Sequence, residues 1–189
     1  MNKDLFIEEL NTLSDYRRIH SLNVSIEARR LAEKYGADPE RAEIAGLLHD
    51  ITKEFDDETQ LKIIHDGGII LSAVEQASPK LYHAISASVY VRERFGIEDE
   101  DILNAIRYHT TARAGMSALE KVVFLADFTS ADRKFDDIDN IRRCAEISLE
   151  DGMLYALRFT ISRISARSGL ISPDALDAYN EIVLSQMNR

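Results

Sequence analysis

The 189-residue chain has one cysteine, three prolines, eight glycines and no tryptophan. A single thiol, Cys144, cannot build an internal disulfide framework and fits a reducing compartment. It reads as a small core residue rather than a nucleophile, because no second thiolate lies near it. There is no Pro/Gly/Ser-rich linker, low-complexity tract or internal repeat. No apolar run approaches the length of a membrane span. The start, Met1-Asn2-Lys3-Asp4-Leu5, lacks the uninterrupted apolar stretch of a signal peptide. Basic residues are in deficit: 23 Lys and Arg face 33 Asp and Glu, a formal net charge of -10. Such a field repels phosphate polyanions, which argues against nucleic acid or an anionic membrane as partner. The expectation is a cytoplasmic enzyme or binding module in which any anionic ligand meets a local exception to that charge.

Helix signals, by contrast, are abundant. The length suits one domain with a full hydrophobic core, and 45% of residues are apolar. Each proline follows a short polar residue, in Asp38-Pro39, Ser78-Pro79 and Ser172-Pro173, as at a capped helix start. Ser117-Ala118-Leu119-Glu120 has the form of a capping box ahead of the apolar run Val122–Ala126. Gly36, Gly96 and Gly169 each follow a helix-period segment, where a left-handed closing residue is needed. These marks predict helices over about 4–12, 15–35, 39–50, 57–65, 79–95, 99–110, 118–129, 139–146, 149–168 and 173–187. The only strand candidate is the short Gly68-Ile69-Ile70-Leu71. The expected fold is a single all-α domain.

Polar residues interrupt the apolar faces of five of these helices. His20 lies in a stripe with Leu13, Tyr16, Val24, Ala28 and Leu31, and Ile44, Ala45, Leu47 and Leu48 lead into His49-Asp50. His83 shares a face with Ala87 and Tyr90, His109 follows Ile102, Ala105 and Ile106, and Asp127 ends Val122-Val123-Phe124-Leu125-Ala126. A lone histidine on such a stripe is more often a satisfied core residue than a ligand. A buried carboxylate is costly unless paired. Four histidines and two carboxylates facing inward together are resolved at once by a divalent cation, which helix bundles hold through side chains of facing helices. Mixed imidazole and carboxylate donors suit Fe(II), Mn(II) or Zn(II) better than Mg(II) or Ca(II). The second His-Asp pair, His65-Asp66, precedes Gly67-Gly68 at a helix end and reads as a solvated terminus.

The order His20, His49-Asp50, His83, His109 and Asp127 resembles the HD-domain superfamily of metal-dependent phosphohydrolases. Arg17-Arg18-Ile19-His20, Ala45–Lys53, Leu81-Tyr82-His83-Ala84, Ala105–Thr111, Leu119–Asp127 and Arg133 narrow that resemblance to the YqeK family, over roughly residues 10–165. The resemblance implies an HD-fold helical bundle with its metal core over about 15–135. It also implies symmetrical bis(5′-nucleosyl)-tetraphosphatase activity: hydrolysis of diadenosine tetraphosphate at its central anhydride to two ADP, with a preference for ferrous iron. By the same resemblance, His20, His49, Asp50 and Asp127 are the metal ligands. Arg17, Lys53, His83, His109, Arg113 and Arg133 then lie near nucleotide phosphates. His83 and His109 are open between a second metal and the phosphate, and Asp50, Lys53, His83 and His109 are the candidate catalytic groups.

Two segments depart from the family pattern. Ala112-Arg113-Ala114-Gly115 stands where the family usually has Gly-Arg-Pro-Gly, and Ser130-Ala131-Asp132-Arg133 stands where relatives often carry Glu-Pro before the arginine. Both fall where the nucleotide is expected. The alternatives are another HD nucleotidase or nucleoside triphosphate hydrolase, and a non-catalytic nucleotide-binding module. The C-terminal helices, about 139–187, fit either closure of the core or a homodimer interface, since both give the same periodicity.

Overall fold

A computed structural model describes residues 3–188, so Met1 and Asn2, on which part of the signal-peptide argument rests, lie outside it. Eleven α-helices and one short 3-10 turn make up the regular structure of the described residues, with no strand among them. In chain order the helices are α1 (Lys3–Leu10), α2 (Asp15–Tyr35), α3 (Pro39–Leu48), α4 (Asp57–Asp66), α5 (Ala73–Gln76) and α6 (Tyr82–Phe95). There follow α7 (Glu100–Arg107), α8 (Ala118–Thr129), α9 (Ile138–Ile147), α10 (Leu149–Ser165) and α11 (Pro173–Met187). The all-α expectation holds, and the strand candidate 68–71 is an irregular connection. Among the described residues no helix is long and apolar enough to cross a membrane.

Two apolar helices form the centre. In α3 Ala42 and Ile44–Leu48 are buried, and in α8 Leu119, Glu120 and Val122–Ala126 are buried. The second half of α3 and most of α8 are buried on all sides, as in helices that run through the inside of a bundle. The long α2 lies against both, α7 closes against α3 and α8, and α6 bridges α4 and α7. One continuous core runs through all of these, from Phe6 and Leu10 to Ala178 and Ile182. The C-terminal helices α9, α10 and α11 belong to it too, through Ile141, Met153, Leu157 and Ile182. A small separate cluster, Ile64, Tyr82 and Ile85, holds α4 to the start of α6.

The helix ends correct the sequence reading at several points. Asp38 caps α3 as expected, accepting from the amides of Glu40 and Arg41. Neither Ser78 nor Ser172 caps through its side chain, and Pro79–Leu81 is a 3-10 turn that precedes α6. Gly36 and Gly96 have the left-handed conformation expected of closing residues, at φ +74° and +65°. Gly169 does not; Ser168, at φ +53°, takes the turn after α10 instead. Helix α3 stops at Leu48 and α7 at Arg107, so His49 and His109 sit just past helix ends rather than within them. Tyr16 is 64% exposed and so lies off the apolar stripe, and Cys144 is only half-buried. The helix periods also gave no sign of α5, although Ser72 and Glu75 form a complete capping box before it.

Gly46 sets the approach of α3 to α2. A methyl group there would stand 3.0 Å from the Ser25 Cα and the Val24 carbonyl oxygen, both backbone atoms. The close approach brings the end of α3 against the helix that carries His20. Gly46→Ala should destabilise the fold by about 1–3 kcal/mol, the usual cost of overpacking a rigid contact. Thermal unfolding monitored by circular dichroism checks this, and an unchanged midpoint would show that the two helices are free to separate.

Candidate metal centre

Five segments deliver the polar side chains to one point. His20 comes from α2, His49 and Asp50 from the turn after α3, and His83 from the first turn of α6. His109 follows α7, and Asp127 lies in the last turn of α8. Hydrogen bonds lock the intervening turns. Ser14 caps α2 and binds Glu54 through its amide, 2.8 Å, and its hydroxyl. The Thr52 hydroxyl donates to the His83 carbonyl oxygen, 2.9 Å, and lies 2.7 Å from Ser86 Oγ. Arg41 on α3 grips Asp99, the cap of α7, at 2.8 and 2.5 Å, which fixes the approach to His109.

Three groups of ligand atoms meet closely enough to hold an ion: His20, His49 and Asp50; His49, His109 and Asp127; and Asp50, His83 and His109. All four histidines and Asp50 are buried, and Asp127 is 14% exposed at its side chain. His20 Nε2 lies 3.0 Å from an Asp127 oxygen, while His83 and His109 Nε2 lie 3.2 and 3.5 Å from Asp50 Oδ1. Yet His20 Nε2, His49 Nε2 and Asp50 Oδ1 have no aligned hydrogen-bond partner. Unsatisfied buried polar atoms are costly, and three converging on one point call for a shared partner. A cation is the partner they fit. Neutral imidazole nitrogens and carboxylate oxygens are its donors, and nothing in the set is mismatched to a divalent ion.

The opposite ring nitrogens explain the orientation. His49 Nδ1 lies 2.7 Å from the Gly46 carbonyl oxygen and His109 Nδ1 lies 2.7 Å from that of Ile106. Each therefore donates through Nδ1–H, leaving Nε2 as a lone-pair donor to the centre. His20 is oriented by Asp132, whose carboxylate lies 2.8 Å from Nδ1. In the sequence Asp132 stands out only as a departure from the family pattern, with no role attached. It lies past the end of α8, outside any helical period, and gains its role only where the chain folds back on α2.

The electrostatics of the centre are balanced by cations placed around it. Burial alone would raise the Asp50 carboxyl, but His49, His109 and His83 outweigh it and hold it well below the usual carboxylate range. Asp127 is lowered in the same way: burial opposes its charge, and His20 and Arg133 more than offset that. Burial pushes His83 down to about 4, so this ring is neutral near pH 7. It also lowers His109 and the Lys53 ammonium. Arg17 binds Asp50, Arg133 binds Asp127, and Lys53 Nζ stands 2.9 Å from the His83 ring nitrogens.

Of the residues singled out in the sequence, His20, His49, Asp50, Lys53, His83, His109, Asp127, Arg17 and Arg133 all come together. Arg113 does not join them: it is held by both oxygens of the buried Glu120, each at 2.7 Å, beside the Tyr108 ring. The turn that carries it holds buried Ala112 at φ +58°, a left-handed conformation in which glycine is ordinarily found. His65-Asp66 is solvent-exposed at the end of α4, as its sequence context indicated.

A profile of the HD domain matches residues 17–132, the stretch that supplies every one of the converging ligands. The chain belongs to the HD-domain superfamily. Among curated proteins it is 37% identical over 92% of both chains to a symmetrical bis(5′-nucleosyl)-tetraphosphatase of Halalkalibacterium halodurans. It is 36% identical to the one from Bacillus subtilis, over 90% of this chain and 91% of that one. The relationship places it in the YqeK family. The same fold occurs in a Clostridium acetobutylicum protein described as a predicted HD superfamily hydrolase involved in NAD metabolism. It superposes with a TM-score of 0.94 at 33% identity over 98% of both chains.

Asp132 gives this HD centre its clearest test. Asp132→Ala removes the group that orients His20 without touching a ligand atom. It should lower metal affinity by about 10–100-fold, the usual effect of losing such a support, with the fold intact. Metal titration with circular dichroism as control measures it; an affinity equal to wild type would mean that α2 alone orients the ring.

Proposed function

We propose that this chain is a metal-dependent phosphohydrolase that cleaves diadenosine tetraphosphate symmetrically to two ADP. The observation that supports it most is the convergence of orphaned His20 Nε2, His49 Nε2 and Asp50 Oδ1 beside Asp127, in a chain whose relatives carry that activity in their names. His20, His49, Asp50 and Asp127 hold a divalent ion, most suitably Fe(II), with Mn(II) and Zn(II) also compatible with the donor set. When bound, the ion lowers the pKa of a water and acts as a Lewis acid toward a phosphoryl oxygen.

The protein's own groups do the rest. Asp50, Asp127 and Asp132 are matched by Arg17, Lys53 and Arg133, so a divalent charge makes the centre net positive and suited to a polyphosphate. Arg17 and Arg133 stand beside Asp50 and Asp127, and with those carboxylates engaged by a bound ion their guanidiniums would be available to phosphate oxygens, which they can bind in bidentate fashion. Water adds to one inner phosphorus, and the central bridging oxygen departs as the terminal oxygen of the second ADP. Lys53, its pKa lowered by burial, is suited to give a proton to that oxygen. His83 and His109, both neutral near pH 7, face the phosphate and position it. Arg113, engaged by Glu120, supports the turn after His109 rather than the phosphate.

A second reading has an observation of its own. Asp50, His83 and His109 form a further ligand group, which favours a second ion sharing Asp50. Metal content per chain, measured anaerobically, separates the two readings: one equivalent supports the phosphate role of His83 and His109, and two the shared site.

Anaerobic assay on diadenosine tetraphosphate with chromatographic product analysis should give ADP alone, and chelation should abolish turnover. Products of ATP and AMP would overturn the symmetrical assignment. His49→Ala and Asp127→Ala should each lower turnover by at least about a thousandfold and reduce bound metal, with helical content unchanged. Turnover retained in metal-free variants would refute the mechanism.

A further inference from the structure

We propose that the cleft between the α10–α11 turn and the segments carrying His83 and His109 receives one nucleoside of the substrate, an inference that rests on the dinucleotide reading. The cleft has a volume of about 430 Å³ and a largely apolar wall that includes Ile161, Ile164 and Leu170. Cavities of roughly 300–1,000 Å³ with an apolar wall and a few polar groups are the ordinary form of a small-molecule site.

Its position ties it to the metal centre. Thr110 and Thr111, which directly follow His109, form part of one wall, and Pro79 and Lys80, one turn before His83, form another. On the other side of Pro79 and Lys80 a second cleft opens directly onto His83 and Lys53. A polyphosphate lying on Lys53 and His83 therefore meets Lys80 next, and a nucleoside attached to it reaches the apolar wall.

The chemistry of the wall is that of a nucleotide site. Lys80 and Arg167 have no carboxylate within ion-pair distance among the described residues, although acidic side chains far outnumber basic ones in this chain. Most of the other arginines are paired, as Arg29, Arg30, Arg41 and Arg92 are. Ser172 stands at the head of α11 but does not cap it, so its hydroxyl is uncommitted among the described residues, as are those of Thr110, Thr111 and Thr160. Free cations, unengaged hydroxyls and an apolar wall fit phosphate, ribose and base in turn. Residues 160–175 of this wall lie beyond the segment that the HD profile covers. The C-terminal helices thereby become part of substrate recognition, while the HD core supplies the metal chemistry.

The absence of tryptophan makes a direct test available. Leu170→Trp, at a 55% exposed rim position, introduces a single reporter. Its emission should change saturably with ADP and not with inorganic pyrophosphate. Arg167→Ala should raise KM for diadenosine tetraphosphate about tenfold with kcat within about twofold, as expected for losing a charge-assisted contact made equally in ground and transition states. Hydrolysis to ADP with no emission change and an unaltered KM overturns the cleft alone. An ADP-specific emission change in a protein that releases no ADP from the dinucleotide leaves the cleft standing and overturns the reaction. An equal response to pyrophosphate shows an anion site and overturns nucleoside binding.

Discussion

Asp50 and Asp127 are carboxylates carried into the interior of an all-α bundle, and the rest of the site is the response to them. Each is held ionised against the cost of burial by imidazoles and by one guanidinium, Arg17 for Asp50 and Arg133 for Asp127. The compensation is incomplete, because His20 Nε2, His49 Nε2 and Asp50 Oδ1 still lack aligned partners. A divalent ion would satisfy the three atoms together, since they belong to one group of converging ligand residues. Stability and metal binding are thus two aspects of one electrostatic requirement.

The bundle meets this requirement by ending helices at the right places. His49 and His109 sit immediately past α3 and α7, where each ring can donate Nδ1–H to the carbonyl three residues earlier. Carbonyls left unpaired at a helix C-terminus are used in this way to aim Nε2 inward. His20 lies within a helix, where its neighbours' carbonyls are taken, and so requires a partner from elsewhere; Asp132 supplies it. The difference between these histidines follows from their position along a helix and not from their residue type.

Much of this was legible in the sequence, for a physical reason. Inward-facing residues of an amphipathic helix are marked by period, so spacing alone assigns His20, His83, Asp127 and their apolar neighbours to core faces. The bounds of α8 agree with its capping box, those of α2 with its closing glycine, and those of α11 with its periodicity. What was not legible depends on tertiary approach. Ser78-Pro79 and Ser172-Pro173 look like capped helix starts, yet neither serine bonds the helix amides that follow it through its side chain. Arg113 has the same local credentials as Arg133, but Glu120, brought beside it by the turn into α8, occupies its guanidinium. Tyr16 fits the apolar stripe by spacing and falls outside it because α2 is covered mainly on two sides, by α3 and α8.

The net charge of -10 acquires a different meaning in this setting. Taken as a uniform field it would exclude a tetraphosphate along with nucleic acid. In the folded chain, most acidic groups lie on solvated helix faces, many of them in exposed ion pairs such as Lys62–Asp66 and Arg92–Glu100. Charges on such surfaces are screened within about 10 Å at ordinary ionic strength. A long polyanion spans many such patches and is repelled by their sum. On the proposed reading a dinucleotide samples only the surroundings of the centre, where Lys53 and Lys80 line the depression at His83, Arg17 and Arg133 stand beside Asp50 and Asp127, and a divalent ion would add its charge. On that reading, an acidic exterior around a cationic centre would discriminate by ligand length, favouring a short polyphosphate over a polymer built from the same groups.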